Sequence, residues 1–303
     1  MAGKLLAAEP MSRHTTWRVG GPADLFLEPA DQDDLERVLR LLQQAGVPWL
    51  AVGSGSNLLV RDGGIRGAVI HLRRFRQLEM AGDGRIRAGG GLPLMTLIRE
   101  TSAGGWAGLE GLAGIPGTVG GAVAMNAGAG GQEMADVVES AVVVTAAGAE
   151  LWSRERLQFA YRHSALSRET ILTSASMRFR PGEAAALGAV IRERLAARRS
   201  TQRVGGPNAG SVFKNPPGQS AWQLIAAAGM RGMAIGDAQI AEGHANFIVN
   251  RGRARARDIL QLIEQVRERV REASGIELET EIRIVGADAA TDEKDFPREG
   301  EKG

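Results

Sequence analysis

The chain has 303 residues, a formal charge of +2 and no cysteine, with 44% hydrophobic and 24% charged residues. That balance fits a soluble globular protein with a real core, and at roughly 100–200 residues per domain the length favours two or three domains. The missing thiols exclude a disulfide framework, a thiolate metal site and a cysteine nucleophile, and make a cytoplasmic setting the simpler expectation. The small charge, spread out apart from the run Arg251–Arg257, argues against nucleic acid, and no stretch approaches the about 18 apolar residues of a membrane span.

The first predicted element is an amphipathic helix over 31–45 (DQDDLERVLRLLQQA). Asp31 caps it, its first turn is acidic, Leu35, Val38, Leu39 and Leu42 share one face, and Gly46 ends it. A short strand, PWLAV, leads into the loop GSGSN at 53–57. Two strand-like runs follow, LLV and AVIHL, split by the turn Asp62-Gly63-Gly64, so residues 1–75 read as a small α/β lobe. Over 76–182 the texture becomes strands and turns (RIRAG, VVESAVVVT, AELWS, TSASMRFRP), with one short helix near 93–102. This second lobe also holds a glycine-rich stretch at 111–131, GLAGIPGTVGGAVAMNAGAGG. Residues 183–199 form a connecting helix.

Residues 200–286 read as a compact α+β unit. It contains GSVFKNP, a helix near 219–228 closed by Gly229, the strand ANFIVN and a long helix near 254–273. Ile259, Leu260, Ile263, Val266 and Val270 make the apolar stripe of that helix, and Gly275 follows its end. In the final strand, ELETEIRIV, alternation puts Glu279, Glu281 and Arg283 on one face. The polar residues 287–303 read as a disordered tail.

The two glycine-rich loops limit the chemistry. GSGSN follows a strand, as a phosphate loop should, but a Rossmann unit opens a helix there, and LLVRDGG reads as strand and turn. A tight αβ turn is the plain alternative. In the second loop Gly114, Gly117 and Gly120 recur at spacings that place them near one side of any helical turn. Ile115, Pro116, Val119, Val123 and Met125 would be wasted in a solvated linker. A structural glycine crossing and a bare ligand lining both stay open. Taken together, the loops present successive backbone N–H groups, which hold anions without Lys or Arg. Such a lining suits a long anionic cofactor with flat rings, and the non-Rossmann context favours a flavin. Its candidate residues are Gly53, Ser54, Gly55, Ser56 and Asn57, with Gly114, Ile115, Pro116, Gly117, Gly120, Gly121, Ala122, Asn126, Ala127 and Gly128.

Several segments carry a resemblance. HTTWRVGGPADLFLEP (14–29), AVGSGSNLLVRDGG (51–64), LAGIPGTVGGAVAMNAGA (112–129), YRHS (161–164), NAGSVFKNP (208–216), HANFIVN (244–250) and ETEIRIVG (279–286) occur in this order. They resemble the UDP-N-acetylenolpyruvoylglucosamine reductase (UDP-N-acetylmuramate dehydrogenase) family, flavoenzymes of bacterial peptidoglycan precursor synthesis. The resemblance runs from about residue 12 to 286. It implies an α+β fold: a two-lobed FAD-binding unit of the vanillyl-alcohol oxidase and p-cresol methylhydroxylase type, plus a C-terminal substrate-binding domain. The short third domain resembles the branch that lacks a tyrosine-bearing insertion. Where the family often carries Tyr, Pro and Pro, this chain has Gly130, Arg203 and Thr280.

The resemblance further implies non-covalent FAD, NADPH as reductant and UDP-N-acetylglucosamine enolpyruvate as small-molecule substrate; beside it, a monomer is expected. Hydride would pass from reduced FAD N5 to substrate C3, and a proton to C2. The negative charge left on C2 and the carboxylate calls for cationic or protonated donors. Arg162 beside Tyr161 offers a planar donor fork, although a solvated arginine is the ordinary reading. Ser211, by position an ordinary turn or cap residue, corresponds to the proton donor. Glu281, by pattern a solvent-facing strand acid, corresponds to the glutamate that stabilises the enol form. Tyr161, Lys214, Asn215, His244 and Arg283 are the candidate substrate-binding residues. The four dispersed histidines suggest no metal. Two other readings stand beside this one: an FAD-dependent oxidase of the same fold, separable by oxygen-dependent turnover, and a non-enzymatic flavin- or nucleotide-binding module.

Overall fold

The computed structural model describes residues 1–201 and 204–289; Arg203 and most of the expected tail lie outside them. The chain starts with a strand that sequence patterning missed, Lys4–Pro10, paired antiparallel with Pro22–Glu28. It is an edge strand with most side chains exposed, so it lacks the apolar alternation that marks a half-buried strand. Pro22–Glu28 runs parallel to Ile65–His71, which in turn pairs parallel with Trp49–Val52. The helix Gln32–Gln44 buries Leu35, Val38, Leu39 and Leu42 as expected, and the Asp31 carboxylate accepts the Asp34 amide at 2.9 Å. Asp34 is itself fully buried. Its carboxylate accepts the amides of Ala2, Gly3 and Ala30, fastening the N-terminal strand to the helix.

The second sheet is antiparallel, in the order Gly148–Ser153, Val138–Thr145, Ile171–Arg178, Arg85–Gly89, Leu78–Met80. The helix Val119–Ala124 packs against it through Val119 and Val123, and Leu94–Ala103 and Ala184–Thr201 pack on each other to complete the same core through Leu97, Ile98 and Ile191. The glycine-rich stretch is therefore anchored, because Leu112, Ala113, Val119 and Val123 are fully buried. Its helix begins only at Val119, whereas Gly114 and Gly117 lie before it at φ +87° and +151°. The one-sided helical placement expected of Gly114, Gly117 and Gly120 is thus not adopted; the first two lie in open loop.

In the C-terminal unit the long helix spans Ala256–Ser274 and ends at Gly275 in the left-handed region. Ile259, Leu262, Ile263, Val266 and Val270 are buried, so Leu262 joins the stripe while Leu260 is only partly covered. The shorter helix is Ala221–Ala227. The closing segment is less regular than its alternation suggests. Its strand is only Arg283–Val285, parallel to Leu58–Val60, and Thr280 makes a single bridge to Phe213.

This unit is stitched to the first lobe. Trp17 is fully buried in the C-terminal core, its indole N–H donates to the Ile248 carbonyl at 2.7 Å, and Asn250 donates back to the Trp17 carbonyl. The Asp62 carboxylate accepts the amides of Ala256 and Arg257, capping the long helix from another lobe. Of the expected tail, Ala287 donates to the Gly64 carbonyl and accepts the Gly63 amide, and Asp288 pairs with Arg61 at 2.6 Å, so both are held by the first lobe.

Candidate active site

A cleft of about 580 Å³ opens where the two glycine-rich loops, the YRHS segment, the NAGSVFKNP loop and the closing segment meet. The glycine-rich loops touch each other: the Ser56 hydroxyl donates to the Pro116 carbonyl at 3.0 Å, and a Cβ on Gly53 would lie 2.5 Å from Thr118 Oγ1. Gly55 has φ +62°, and a Cβ there would lie 2.0 Å from the His14 carbonyl, so only glycine passes the HTTWRVGG segment. The amides of Ser54, Gly55, Ser56 and Gly117 donate to no backbone carbonyl among the described residues. They remain available to an anion.

The charged lining is lopsided. Arg162, Arg168, Arg198 and Arg283 face a single carboxylate, Glu281. Only Arg162 is ion-paired among the described residues, so three guanidinium groups await an anionic partner. Burial pushes the guanidinium pKa of both Arg198 and Arg283 below its usual range, and nearby Arg168 adds to the effect on Arg283.

Arg162 and Glu281 form the centre. Arg162 Nε donates to Glu281 Oε1 at 3.0 Å, its other arm donates to the Gly128 carbonyl, and its guanidinium lies 5.1 Å from the Tyr161 ring centroid. Its backbone sits at φ +55°, a conformation uncommon for arginine. The Glu281 carboxyl is raised above the usual carboxylate range. Burial drives this and outweighs the opposing pull of Arg162 and, more weakly, Lys214.

Backbone bonds seat Glu281 beside the serine loop. Its amide donates to the Val212 carbonyl, one residue after Ser211, and its carbonyl accepts from the Asn57 side chain. Buried Asn246 clamps the same loop by accepting the Phe213 amide and donating to the Phe213 carbonyl. Ser211 itself lines the cleft.

Most of the expected residues meet here. Residues 53–57, the glycine-rich set apart from Asn126, and Tyr161, Arg162, Ser211, Asn215, Glu281 and Arg283 all line the cleft. Asn126, Lys214 and His244 do not. Asn126 is fully buried, donating to the Ala160 carbonyl and accepting the Ala135 amide, and so ties the YRHS turn to the glycine-rich stretch. Lys214 reaches outward to Glu279 at 2.5 Å, which also takes Glu279 off the face expected to hold Glu281. His244 packs edge-on against Phe247 at 4.8 Å.

Sequence reasoning missed Arg168, Arg198 and Asn246. For Arg198 a signal existed. Leu187, Ile191, Leu195 and Arg198 recur at helical spacing on the side of Ala184–Thr201 that meets the core, and Arg198 donates to the Gly114 carbonyl. A charge on an apolar helix face is an anomaly worth locating. Asn246 lies inside the motif HANFIVN, but its clamping role was not legible because its partner Phe213 lies 33 residues away.

Known proteins match this arrangement. The family model described as "UDP-N-acetylenolpyruvoylglucosamine reductase, C-terminal domain" matches residues 201–285, and one described as "FAD binding domain" matches residues 23–153. A UDP-N-acetylenolpyruvoylglucosamine reductase of Syntrophotalea carbinolica is 53% identical over 278 residues, 92% of this chain and 93% of that protein. The chain belongs to the UDP-N-acetylenolpyruvoylglucosamine reductase family. The Heliobacterium modesticaldum reductase is 52% identical, covering 94% of this chain and 91% of its own. The solved reductase of Thermus caldophilus superposes with a TM-score of 0.80 at 36% identity, over 94% of this chain and 99% of that one. Reductase-family membership agrees with the α+β fold and FAD-binding unit expected from the motifs. The cleft fits the cofactor on its own terms too: Gly121 is exposed on its helix, and a Cβ there would meet only Thr118 Oγ1 at 3.5 Å. That glycine leaves free the space a side chain would take.

Proposed function

We propose that this chain reduces UDP-N-acetylglucosamine enolpyruvate to UDP-N-acetylmuramate with NADPH, in peptidoglycan precursor synthesis, through non-covalently held FAD. The observation that carries this reading is the Arg162–Glu281 pair, 3.0 Å apart, set against the Ser211 loop inside a glycine-lined cleft. When bound, FAD supplies hydride transfer from NADPH to C3 of the enolpyruvyl group. Residues 53–57 and the glycine-rich stretch would hold it, and the amides of Ser54, Gly55, Ser56 and Gly117, free of backbone partners, would serve its phosphates. The lobes 1–75 and 76–182, joined by the helix after 183, serve the cofactor, and 200–286 serves the substrate.

The protein's own groups then manage charge and one proton. Hydride arrival at C3 leaves negative charge over C2 and the carboxylate. Arg162 stabilises it, and Glu281, whose burial favours the protonated form, donates a hydrogen bond to the enol oxygen. Ser211 gives its hydroxyl proton to C2. Tyr161, Asn215 and Arg283 line the path of the substrate, with Lys214 and His244 outside the cleft lining as outer contacts. No helix among the described residues is long and apolar enough to cross a membrane. We assign a cytoplasmic monomer.

The test is anaerobic. The purified protein should carry flavin absorbance, NADPH should bleach it, and the enolpyruvyl nucleotide should restore it. A protein that takes up no FAD, or whose reduced flavin the nucleotide leaves untouched, overturns the reading.

A further inference from the structure

The NAGSVFKNP loop leads outward from the chemistry. Ser211 and Asn215 line the cleft, and the Asn215 side chain accepts the amide of Ala221, the residue before Trp222. That bond sets the start of the helix Ala221–Ala227 at the cleft rim. Trp222 is 36% exposed there, unusual for so large an apolar ring.

The ring is not alone. His244 lies 5.8 Å from it at an interplanar angle of 43°, and His244 in turn meets Phe247 edge-on at 4.8 Å. Phe247 lines the cleft. An aromatic run therefore extends from the cleft wall to the rim, in the order Phe247, His244, Trp222. The Arg231 guanidinium lies 5.8 Å from the Trp222 ring centroid and donates to the Glu242 carbonyl, which holds the arginine in place. His244 Nδ1 is buried without a hydrogen-bond partner, and burial keeps the ring pKa below its usual value. The imidazole therefore packs as a neutral ring between Phe247 and Trp222 and backs the platform from inside.

We propose that Trp222 is the stacking platform for the nucleobase of the substrate, with His244 closing its inner edge. This rests on the reading that the substrate is a nucleoside diphosphate sugar. A substrate whose reacting group lies at Ser211 must send its nucleotide end somewhere. The chain itself marks one direction, from Ser211 past Asn215 to Trp222. The rim offers a partly exposed, flat ring face, suited to stacking an uncharged ring. The diphosphate would lie between, nearer the unpaired arginines of the cleft. Base–aromatic stacking is sequence-tolerant, so the platform contributes affinity more than discrimination between bases.

The experiment is titration calorimetry on the FAD-loaded protein with UDP and, separately, inorganic pyrophosphate. Trp222→Ala should weaken UDP about tenfold to hundredfold. Trp222→Phe should stay within a few-fold of the unsubstituted protein, and pyrophosphate affinity should be the same in all three. An unchanged UDP affinity in Trp222→Ala overturns the proposal, as does an equal loss for pyrophosphate, a failure of Phe to rescue, or no UDP binding by the unsubstituted protein. Reoxidation of the unsubstituted protein by the enolpyruvyl nucleotide is followed alongside. Loss of reoxidation removes the proposed reaction, whereas normal reoxidation with UDP binding indifferent to Trp222 removes only the stack.

Discussion

The Glu281 amide bonds to the carbonyl of Val212, the residue after Ser211, and substitution separates the different duties proposed for Ser211 and Glu281. Ser211→Ala should leave flavin reduction by NADPH nearly normal and slow reoxidation by substrate about 10²–10⁴-fold, the usual worth of a positioned proton donor. Stopped-flow measurement of the two half-reactions checks this, and equal losses in both would remove the donor role. Glu281 gives a pH signature. Its folded-state pKa is raised, so the group adds stability below its unfolded pKa near 4.5, and that contribution is lost as pH climbs through the raised folded value. Urea unfolding from pH 4 to 8 should therefore show the native protein losing stability relative to Glu281→Gln as pH rises. A difference that is flat, or that grows the other way, would mean that the Arg162 contact outweighs burial.

At the scale of elements, the bare helix Val119–Ala124 separates fold from ligand. Gly121→Ala replaces an exposed helical glycine with a better helix former, worth about 0.5–1 kcal/mol of stability. The same methyl intrudes on the space assigned to the cofactor and should weaken FAD about tenfold. Thermal unfolding of the apo protein and flavin titration read the two effects separately. A variant that binds FAD normally would take this helix out of the cofactor wall. The elements also show what sequence patterns carry. The helix Gln32–Gln44 was legible because its cap, acidic first turn and buried leucines all lie within a few turns of one another. The strand Lys4–Pro10 was not, because an edge strand held by Asp34 from a later helix needs no alternation of its own. The segment ELETEIRIV was half legible. Alternation put Leu278 and Ile282 in the core, but Lys214 drew Glu279 to the surface while Arg162 drew Glu281 inward.

In the whole molecule, the C-terminal unit and the first lobe are one packed body. Trp17, far from the C-terminal unit in sequence, fills its core, and Asp62 caps its long helix. Trp17→Ala should cost about 3–5 kcal/mol, the range for deleting a large buried aromatic, and should loosen the serine loop through Ile248 and the neighbouring Asn246. Urea unfolding gives the first number, and a slower substrate half-reaction gives the second. A loss under about 1 kcal/mol would show that Trp17 does not join the lobes. The sequence by itself determined the bare loops, the main helices and the order of motifs, and it singled out Arg162, Ser211 and Glu281 as candidates, since each is written in residues close together or in a motif. The tertiary structure alone decided that Arg162 meets Glu281 across 119 residues, that Asn246 clamps the serine loop, that Arg198 turns a connecting helix into a cleft wall, and that Trp222 stands at the rim. Local propensity acts over one or two turns of chain, whereas an ion pair, a clamp or an aromatic run depends on which distant segments the core brings together.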